Sequence, residues 1–155
     1  MHVRIDYLAD HPELADTLAE WFYNEWGRSN PNASPETTRA WIRDHANRNT
    51  LPLAVIAFSA EVPVGAACIR ATDLASRPDL GPWLGSVYVV AEHRRRGIGR
   101  QLVARAEKEA WSQGIKKLFL FTYDQEQLYA SLGWRFVARC ENRGRPAVIM
   151  EKLAD

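Results

Sequence analysis

The residues best suited to chemistry lie together near the middle of the chain, in the segment Arg94-Arg95-Arg96-Gly97-Ile98-Gly99. A helical pattern of apolar residues follows this segment, so its glycines fall at the start of a helix. A glycine-containing loop at a helix N-terminus presents free backbone N–H groups and the positive end of the helix dipole. Such a geometry binds phosphate oxygens, and the three arginines raise the local positive potential. The segment therefore predicts a phosphate site.

The pattern of the segment excludes two common kinds of phosphate loop. Leu102 stands where a dinucleotide-binding loop has its third glycine, and no Gly-Lys-Ser or Gly-Lys-Thr follows, as a P-loop requires. A solvated basic turn would also contain these residues. Taken alone, the segment indicates an anion site and does not specify the anion.

A strand and a helix must position this loop. Residues 83–90 form an apolar strand that runs into it, and the following helix ends at Gly114. The predicted inward face of that helix contains Ile98, Leu102, Val103, Ala106, Ala110 and Trp111. Residues 118–121 are continuously apolar, as in a strand covered on both faces. A strand, a helix and a strand in this order predict a parallel crossover.

The other elements are predicted from periodicity and capping residues. The N-terminal half contains a strand at 3–8, a helix opened at 11–13, a helix capped by Ser34, a hairpin at 51–71 and a loop at 73–82. The C-terminal part contains a short helix at 124–133, opened by a capping box between Asp124 and Gln127, and strands at 135–140 and 147–150. The predicted fold class is therefore α+β: one domain over residues 1–155, layered α/β/α around a mixed, mostly antiparallel sheet with one parallel pair.

Two motifs together carry a resemblance to a known family. Residues 89–99 resemble the acetyl-CoA motif of the GCN5-related N-acetyltransferases (GNAT), a strand followed by Gln/Arg-x-x-Gly-x-Gly/Ala. Residues 128–134 resemble that family's Tyr-x-x-x-Gly-Phe segment, with Trp134 in place of the phenylalanine. The order of predicted elements also fits this family. The sequence is therefore similar to the GNAT acetyltransferases over nearly its whole length.

The resemblance implies roles for named residues. The loop and helix start would hold the pyrophosphate of coenzyme A, through Arg94, Arg95, Arg96, Gly97, Ile98, Gly99 and Arg100. The strand before them would hold the pantetheine arm, through Val87, Tyr88 and Val89. Tyr129 matches the family's proton donor to the departing thiolate. Thr122 stands where many members have an asparagine that contacts the pantetheine arm, so its role is more weakly implied.

The implied activity is an acetyl-CoA-dependent N-acetyltransferase, in which a primary amine attacks the thioester directly in a ternary complex. Acetyl-CoA would be the co-substrate, and no metal is expected. The thiolate that leaves has a pKa of about 8.5, so a positioned tyrosine O–H assists its departure. O-acylation and a longer acyl donor stay open, as does a catalytically silent acyl-CoA-binding sensor.

The acceptor and the general base are not determined by the sequence. Five carboxylates are candidates for the base: Glu25, Asp73, Glu92, Asp124 and Glu126. By the resemblance, the acceptor lies between residues 24–34 and the last strands. Trp26 and Trp83 could line its pocket, although their aromatic character favours core packing over this role.

Composition restricts the remaining possibilities. A net charge of +1 disfavours a nucleic-acid partner, and no apolar run is long enough to span a membrane. Residues 1–7 lack the apolar stretch of a secretory signal, and Cys68 and Cys140 are interpreted as buried free thiols. A cytoplasmic protein is expected, as a monomer or a homodimer.

Overall fold

The computed structural model describes residues 3–155. Met1 and His2 lie outside the described residues; they belong to the predicted domain and to residues 1–7, which lack the apolar stretch of a secretory signal. The strands are β1 Arg4–Tyr7, β2 Leu53–Ser59, β3 Val62–Arg70, β4 Trp83–Val89, β5 Lys117–Thr122, β6 Arg135–Asn142 and β7 Arg145–Leu153. The α-helices are α1 Ala15–Glu25, α2 Pro35–Arg43, α3 Ile98–Ser112 and α4 Glu126–Ser131. Short 3-10 turns cover Leu8–Asp10, Pro12–Leu14, Gly27–Ser29 and Ala91–His93.

The strands form one mixed sheet in the order β1-β2-β3-β4-β5-β7-β6. All neighbouring strands are antiparallel except β4 and β5, which are parallel and joined by α3. The helices cover both faces of the sheet, so the predicted fold class is confirmed, including its parallel pair.

Each face of the sheet has its own apolar core. On one face, Leu102, Val103 and Ala106 of α3 pack against inward residues of β2–β5 and β7. On the other face, Leu18 and Phe22 of α1 and Ile42 of α2 cover β2 and β3. Both cores follow the helical periodicity of the sequence, because the apolar stripe of each helix is the side that meets the sheet.

The predicted caps differ in outcome. Ser34 caps α2 as expected, and it forms a reciprocal capping box with Thr37. The capping box predicted at Asp124 is wrong, because α4 begins at Glu126 after Gln125, which makes no side-chain cap bond. Asp124 is exposed and lies one residue too early. Thr122 supplies the local bond instead, since its Oγ1 accepts a hydrogen bond from the backbone N–H of Gln125 at 3.0 Å.

Both cysteines are free thiols in the structure, but only one is buried. Cys68 lies in the core under α1 and α2, as predicted. The prediction that Cys140 is buried is wrong: it is half-buried because it lies on β6, the edge strand of the sheet. Within residues 3–155, the structure contains no helix with the length and apolar character needed to cross a membrane.

A buried polar network ties α4 and β6 to α3. The indole N–H of Trp134 donates to Glu107 Oε2 at 3.0 Å, and Lys152 Nζ donates to Glu107 Oε1 at 2.8 Å. Lys152 also donates to the Leu132 carbonyl at 2.8 Å. The Trp134 ring meets the Tyr129 ring edge-to-face, with centroids 6.2 Å apart. The network therefore holds the segment that carries Tyr129.

Trp134→Phe is expected to destabilise the fold. Phenylalanine keeps the aromatic contact but removes the indole N–H, which leaves one oxygen of the buried Glu107 carboxylate without its partner. A buried group left unsatisfied in this way costs ~1–3 kcal/mol. Urea unfolding followed by circular dichroism measures the loss, and Phe136→Leu, at a side chain that is 50% exposed, should stay within about 0.5 kcal/mol of wild type. Equal midpoints for Trp134→Phe and wild type would contradict the assigned role of the network.

Candidate functional site

The centre of the candidate site is a bulge in β4. Gly85 pairs with Cys68 and Tyr88 pairs with Ala66, so β4 has one more residue than β3 over this interval. Ser86 occupies the left-handed region, with φ of +50°. A bulge inserts one residue and reverses which side chains face which side of the sheet. The extra residue is why Leu84 and Val87, three residues apart, both pack on the α3 face.

Past the bulge, β4 and β5 separate. Their only paired residues in the described chain are Trp83, the first residue of β4, and Phe119, which follows Leu118 in β5. The Val90 N–H donates to the Val64 carbonyl of β3. Along an antiparallel strand, successive residues direct their backbone N–H and C=O groups to opposite neighbours. The backbone groups of Val87 and Val89 therefore face away from β3 and toward β5. These strands therefore form an opening lined by backbone groups that do not pair with either neighbouring strand, at residues that the sequence predicts for the pantetheine arm.

The arginine-glycine loop lies at the end of this opening. Arg95 and Gly97 are both left-handed, with φ of +63° and +81°, so the chain curls between β4 and α3. No side chain among residues 3–155 caps the start of α3, and Ile98 is buried, which anchors the loop to the core. The first amides of α3 are thus free to bind an anion, as a helix N-terminus allows.

The basic residues of the loop have different surroundings. Arg94 donates from Nε to the Val89 carbonyl at 2.8 Å, and its guanidinium lies 5.5 Å from the centre of the Tyr88 ring. It holds the loop against β4 in addition to contributing charge. Arg95, Arg96 and Arg100 have exposed side chains. The structure thus brings residues 94–100 together at the carboxyl end of β4.

Tyr129 lies in the core cluster on the α3 face, with 9% of its surface exposed. Burial raises its pKa to about 12, so the side chain stays protonated at neutral pH. Its hydroxyl has no hydrogen-bond partner among the described residues, yet it is not sealed from solvent. Thr122, with a largely buried side chain, borders an open depression at the end of β5 that residues 122–128 and Val148 line. Among the described residues, no side chain or backbone group therefore occupies the Tyr129 O–H.

Sequence comparison assigns this arrangement to a family. The Acetyltransferase (GNAT) family profile matches residues 12–134, which is more than half of the chain. The chain belongs to the GNAT acetyltransferase family. The match includes α1 to α4, the bulged strand, the arginine-glycine loop and Tyr129.

Relatives of known identity and structure resemble this GNAT chain. It is 27% identical to N-alpha-acetyltransferase 80 of Mus musculus over 129 residues, which is 80% of this chain and 38% of that protein. The chain thus spans well under half the length of this curated relative. An aminoglycoside 6'-N-acetyltransferase complexed with coenzyme A has a TM-score of 0.75 at 19% identity, covering 99% of this chain and 97% of the other. yncA from Salmonella typhimurium, solved with acetyl-CoA, has a TM-score of 0.72 at 18% identity, covering 100% and 95%.

The face of the GNAT sheet opposite α3 carries aromatic side chains. Tyr88 of β4 stacks on Trp21 at 5.5 Å and meets Trp26 edge-on at 6.2 Å. Trp83, which the sequence allowed as a pocket residue, is fully buried in a core with Phe119 and donates to the Leu80 carbonyl. Trp83 is therefore a core residue, whereas Trp26 borders the central strand.

The five candidate bases are not equivalent in the structure. Glu25, Glu92 and Asp124 have exposed side chains, and Glu126 is half-buried. Only the Asp73 side chain among the five is largely buried, with 16% of it exposed, and it lies beside the bulge of β4.

Sequence reasoning missed three residues at this place. Arg70 contacts His45, Asp73 and Ser86 through its guanidinium. The available signal was a charged residue inside the apolar strand 62–71, since an arginine is rarely buried unless it is paired. Nothing local marked His45 or Ser86, which lie 25 and 16 residues away from Arg70 in the chain.

Proposed function

We propose that this chain is an acetyl-CoA-dependent N-acetyltransferase that transfers an acetyl group to a primary amine. The observation that carries the proposal is the β4–β5 opening, which leads from the bulge to the uncapped start of α3 with its arginines. The long, narrow arm of an acyl-coenzyme A thioester matches the β4–β5 opening, and its pyrophosphate matches the arginine-glycine loop at the start of α3. Residues 1–155 would form a single domain with this activity.

The residues present fit coenzyme A. A Cβ built at Gly99 meets only Val89 Cγ2, at 3.8 Å, so the α3 start leaves open space in front of its amides. Residues 94–100 would hold the pyrophosphate through backbone N–H groups and positive charge. Val87 and Val89 would bind the pantetheine arm through backbone groups that β5 leaves unpaired, Tyr88 would lie between them with its own backbone groups directed to β3, and Thr122 would border the arm. Acetyl-CoA supplies the activated acyl group.

Nitrogen as the acceptor atom is supported by the names of two relatives. Both the N-alpha-acetyltransferase of mouse and the aminoglycoside 6'-N-acetyltransferase are named for transfer to nitrogen. The backbone N–H groups near the bulge of β4 would stabilise the oxyanion that forms when the amine attacks.

Tyr129 would donate a hydrogen bond from its hydroxyl to the departing sulfur. A pKa of about 12 keeps the hydroxyl protonated, and its lack of a partner leaves it free to turn to the thiolate. Because tyrosinate is then a stronger base than a thiolate of pKa about 8.5, the O–H acts chiefly as a hydrogen-bond donor while the C–S bond breaks.

Tyr129→Phe is expected to lower kcat by about 10²-fold, at the lower end of the range for a general acid, without a change in coenzyme A affinity. Thiol release from acetyl-CoA measures turnover with three acceptors: a peptide with a free N-terminus, an Nα-blocked lysine peptide and an aminoglycoside. Tyr7→Phe is the matched control, since Tyr7 lies on β1 and donates to Glu109. Undiminished turnover in Tyr129→Phe would remove Tyr129 from the mechanism. Tight coenzyme A binding without turnover of any amine would favour a sensor.

A further inference from the structure

Arg70 is the centre of a polar network inside the face opposite α3. Its side chain is 5% exposed. Its Nε donates to His45 Nε2 at 2.8 Å, and its Nη2 donates to Ser86 Oγ at 2.7 Å. The Trp41 ring covers the guanidinium, whose carbon lies 4.0 Å from the ring centre. Arg70 therefore has one fixed position and ties the bulge residue of β4 to the core.

The remaining arm of Arg70 fixes a carboxylate over the bulge. Nη1 of Arg70 donates to Asp73 Oδ1 at 3.2 Å. The other oxygen, Oδ2, lies only 2.6 Å from where a Cβ would stand on Gly85, so the carboxylate rests directly on the glycine of the bulge. An ion pair on one oxygen leaves the second one free to accept another hydrogen bond.

The free oxygen is accessible from outside. Oδ2 of Asp73 has no hydrogen-bond partner among residues 3–155, and it is not sealed from solvent. Gly85 pairs with Cys68, whose side chain belongs to the core under α1 and α2, so this oxygen lies on the face opposite α3. Tyr129 lies in the core on the α3 face. A proton acceptor and a proton donor are thus placed on the two sides of the β4–β5 opening.

We propose that Asp73 is the catalytic base that receives the acceptor ammonium at the bulge of β4, with Arg70 holding its carboxylate in place. The assignment rests on the proposed function, because it requires the thioester to lie in the β4–β5 opening. It also commits the acceptor to a cationic primary amine, since a carboxylate at this place favours an ammonium over a neutral or anionic group.

The proposed step is balanced in atoms and charge. Asp73 takes one proton from the ammonium, and the nitrogen lone pair then forms the C–N bond with the acetyl carbon. The C–S bond breaks with its electron pair on sulfur, to which the Tyr129 O–H donates a hydrogen bond. The nitrogen loses its second proton to solvent, and the thiolate takes up one proton from solvent. Asp73 releases its own proton when the product leaves.

The charges around Asp73 allow it to work as a base. Burial raises the pKa of Asp73 above the ordinary carboxyl value, and Arg70 and Arg143 partly oppose this effect. The Cys68 thiol also faces this place, and burial raises its pKa to about 11, so it stays neutral. His45 lies behind Arg70, and burial and the guanidinium lower its pKa to about 4, so it too is neutral near pH 7. A raised carboxyl pKa brings Asp73 nearer to the optimum of a general base.

Asp73→Asn tests the assignment, because an asparagine has the same shape and its Oδ1 still accepts from Arg70. At pH 7, kcat/KM for the Nα-blocked lysine peptide is expected to fall by about 10²-fold or more. The defect should shrink as the pH rises, since the acceptor amine then loses its proton in solution. It should also be smaller for a free α-amine of pKa about 8 than for a lysine of pKa about 10.4. A purely structural residue would lower activity equally at all pH values and for both amines.

Asp79→Asn is the matched control, because Asp79 lies in the same loop, its side chain is 60% exposed, and its carboxylate accepts from Arg77 and not from Arg70. Its activity and coenzyme A affinity should equal those of the wild type. If Asp73→Asn keeps the wild-type kcat/KM over roughly pH 6 to 9, the base assignment is overturned while the proposed function stands. If the wild type acetylates no amine, the proposed function is overturned and the assignment with it.

Discussion

Replacing Gly99 by leucine is expected to weaken coenzyme A binding by at least about 100-fold, or ~2.7 kcal/mol. Gly99 lies in the first turn of α3, where the amides face the proposed pyrophosphate site. The space in front of its Cα is open apart from Val89 Cγ2. A leucine side chain would occupy the volume that the phosphates need and would block their hydrogen bonds to the amides. Isothermal titration with coenzyme A measures the affinity.

Gly99→Ala provides the matched control for this prediction. Gly99 has no positive φ, and a Cβ there meets Val89 at an ordinary contact distance of 3.8 Å. Alanine should therefore stabilise the helix by up to ~1 kcal/mol, because glycine is the poorer helix former. The GNAT motif permits alanine at this place, so the affinity for coenzyme A should stay close to wild type. Leucine that binds coenzyme A as tightly as alanine would show that the pyrophosphate lies elsewhere.

The sequence was most informative where one element determines its own structure. The stripe of Ile98, Leu102 and Ala106 predicted α3 and its buried face, and Ser34 with Pro35 predicted the start of α2. The parallel β4–β5 pair followed from the strand–helix–strand order alone. These features depend on residues close in the chain, so local periodicity and capping chemistry reveal them.

The candidate site was only partly predictable, because the rest of it depends on contacts between distant segments. The β4 bulge has no local marker, and Ser86 adopts its left-handed conformation while the guanidinium of Arg70 holds its hydroxyl. Asp73 was one of five candidate carboxylates, and nothing in the sequence singled it out as the base. It became distinct only when the fold placed Arg70 and Gly85 beside it.

The stability of the fold is expected to fall steeply as the pH drops from about 6.5 to about 4, with His45 responsible for much of the loss. His45 is fully buried, its Nε2 accepts from Arg70 and its Nδ1 donates to the Trp41 carbonyl at 2.9 Å. Burial, and then the positive charge of Arg70, lower its pKa from 6.5 to about 4. The unfolded chain therefore binds a proton in this window that the folded chain does not, so protons favour unfolding. The shift corresponds to roughly 3 kcal/mol, at about 1.4 kcal/mol per pH unit.

His45→Gln should remove this pH dependence, because glutamine has an amide oxygen to accept from Arg70 and an amide N–H to donate, and it does not titrate. Urea unfolding at a series of pH values from about 7.5 down to about 4 gives the slope of the unfolding free energy, which should be smaller in the variant by close to one proton. Titrating carboxylates contribute equally to both proteins, so the difference between the two slopes isolates His45. Parallel slopes across the window would mean that the folded protein takes up the proton on His45, and that the Arg70–His45 hydrogen bond does not keep the imidazole neutral.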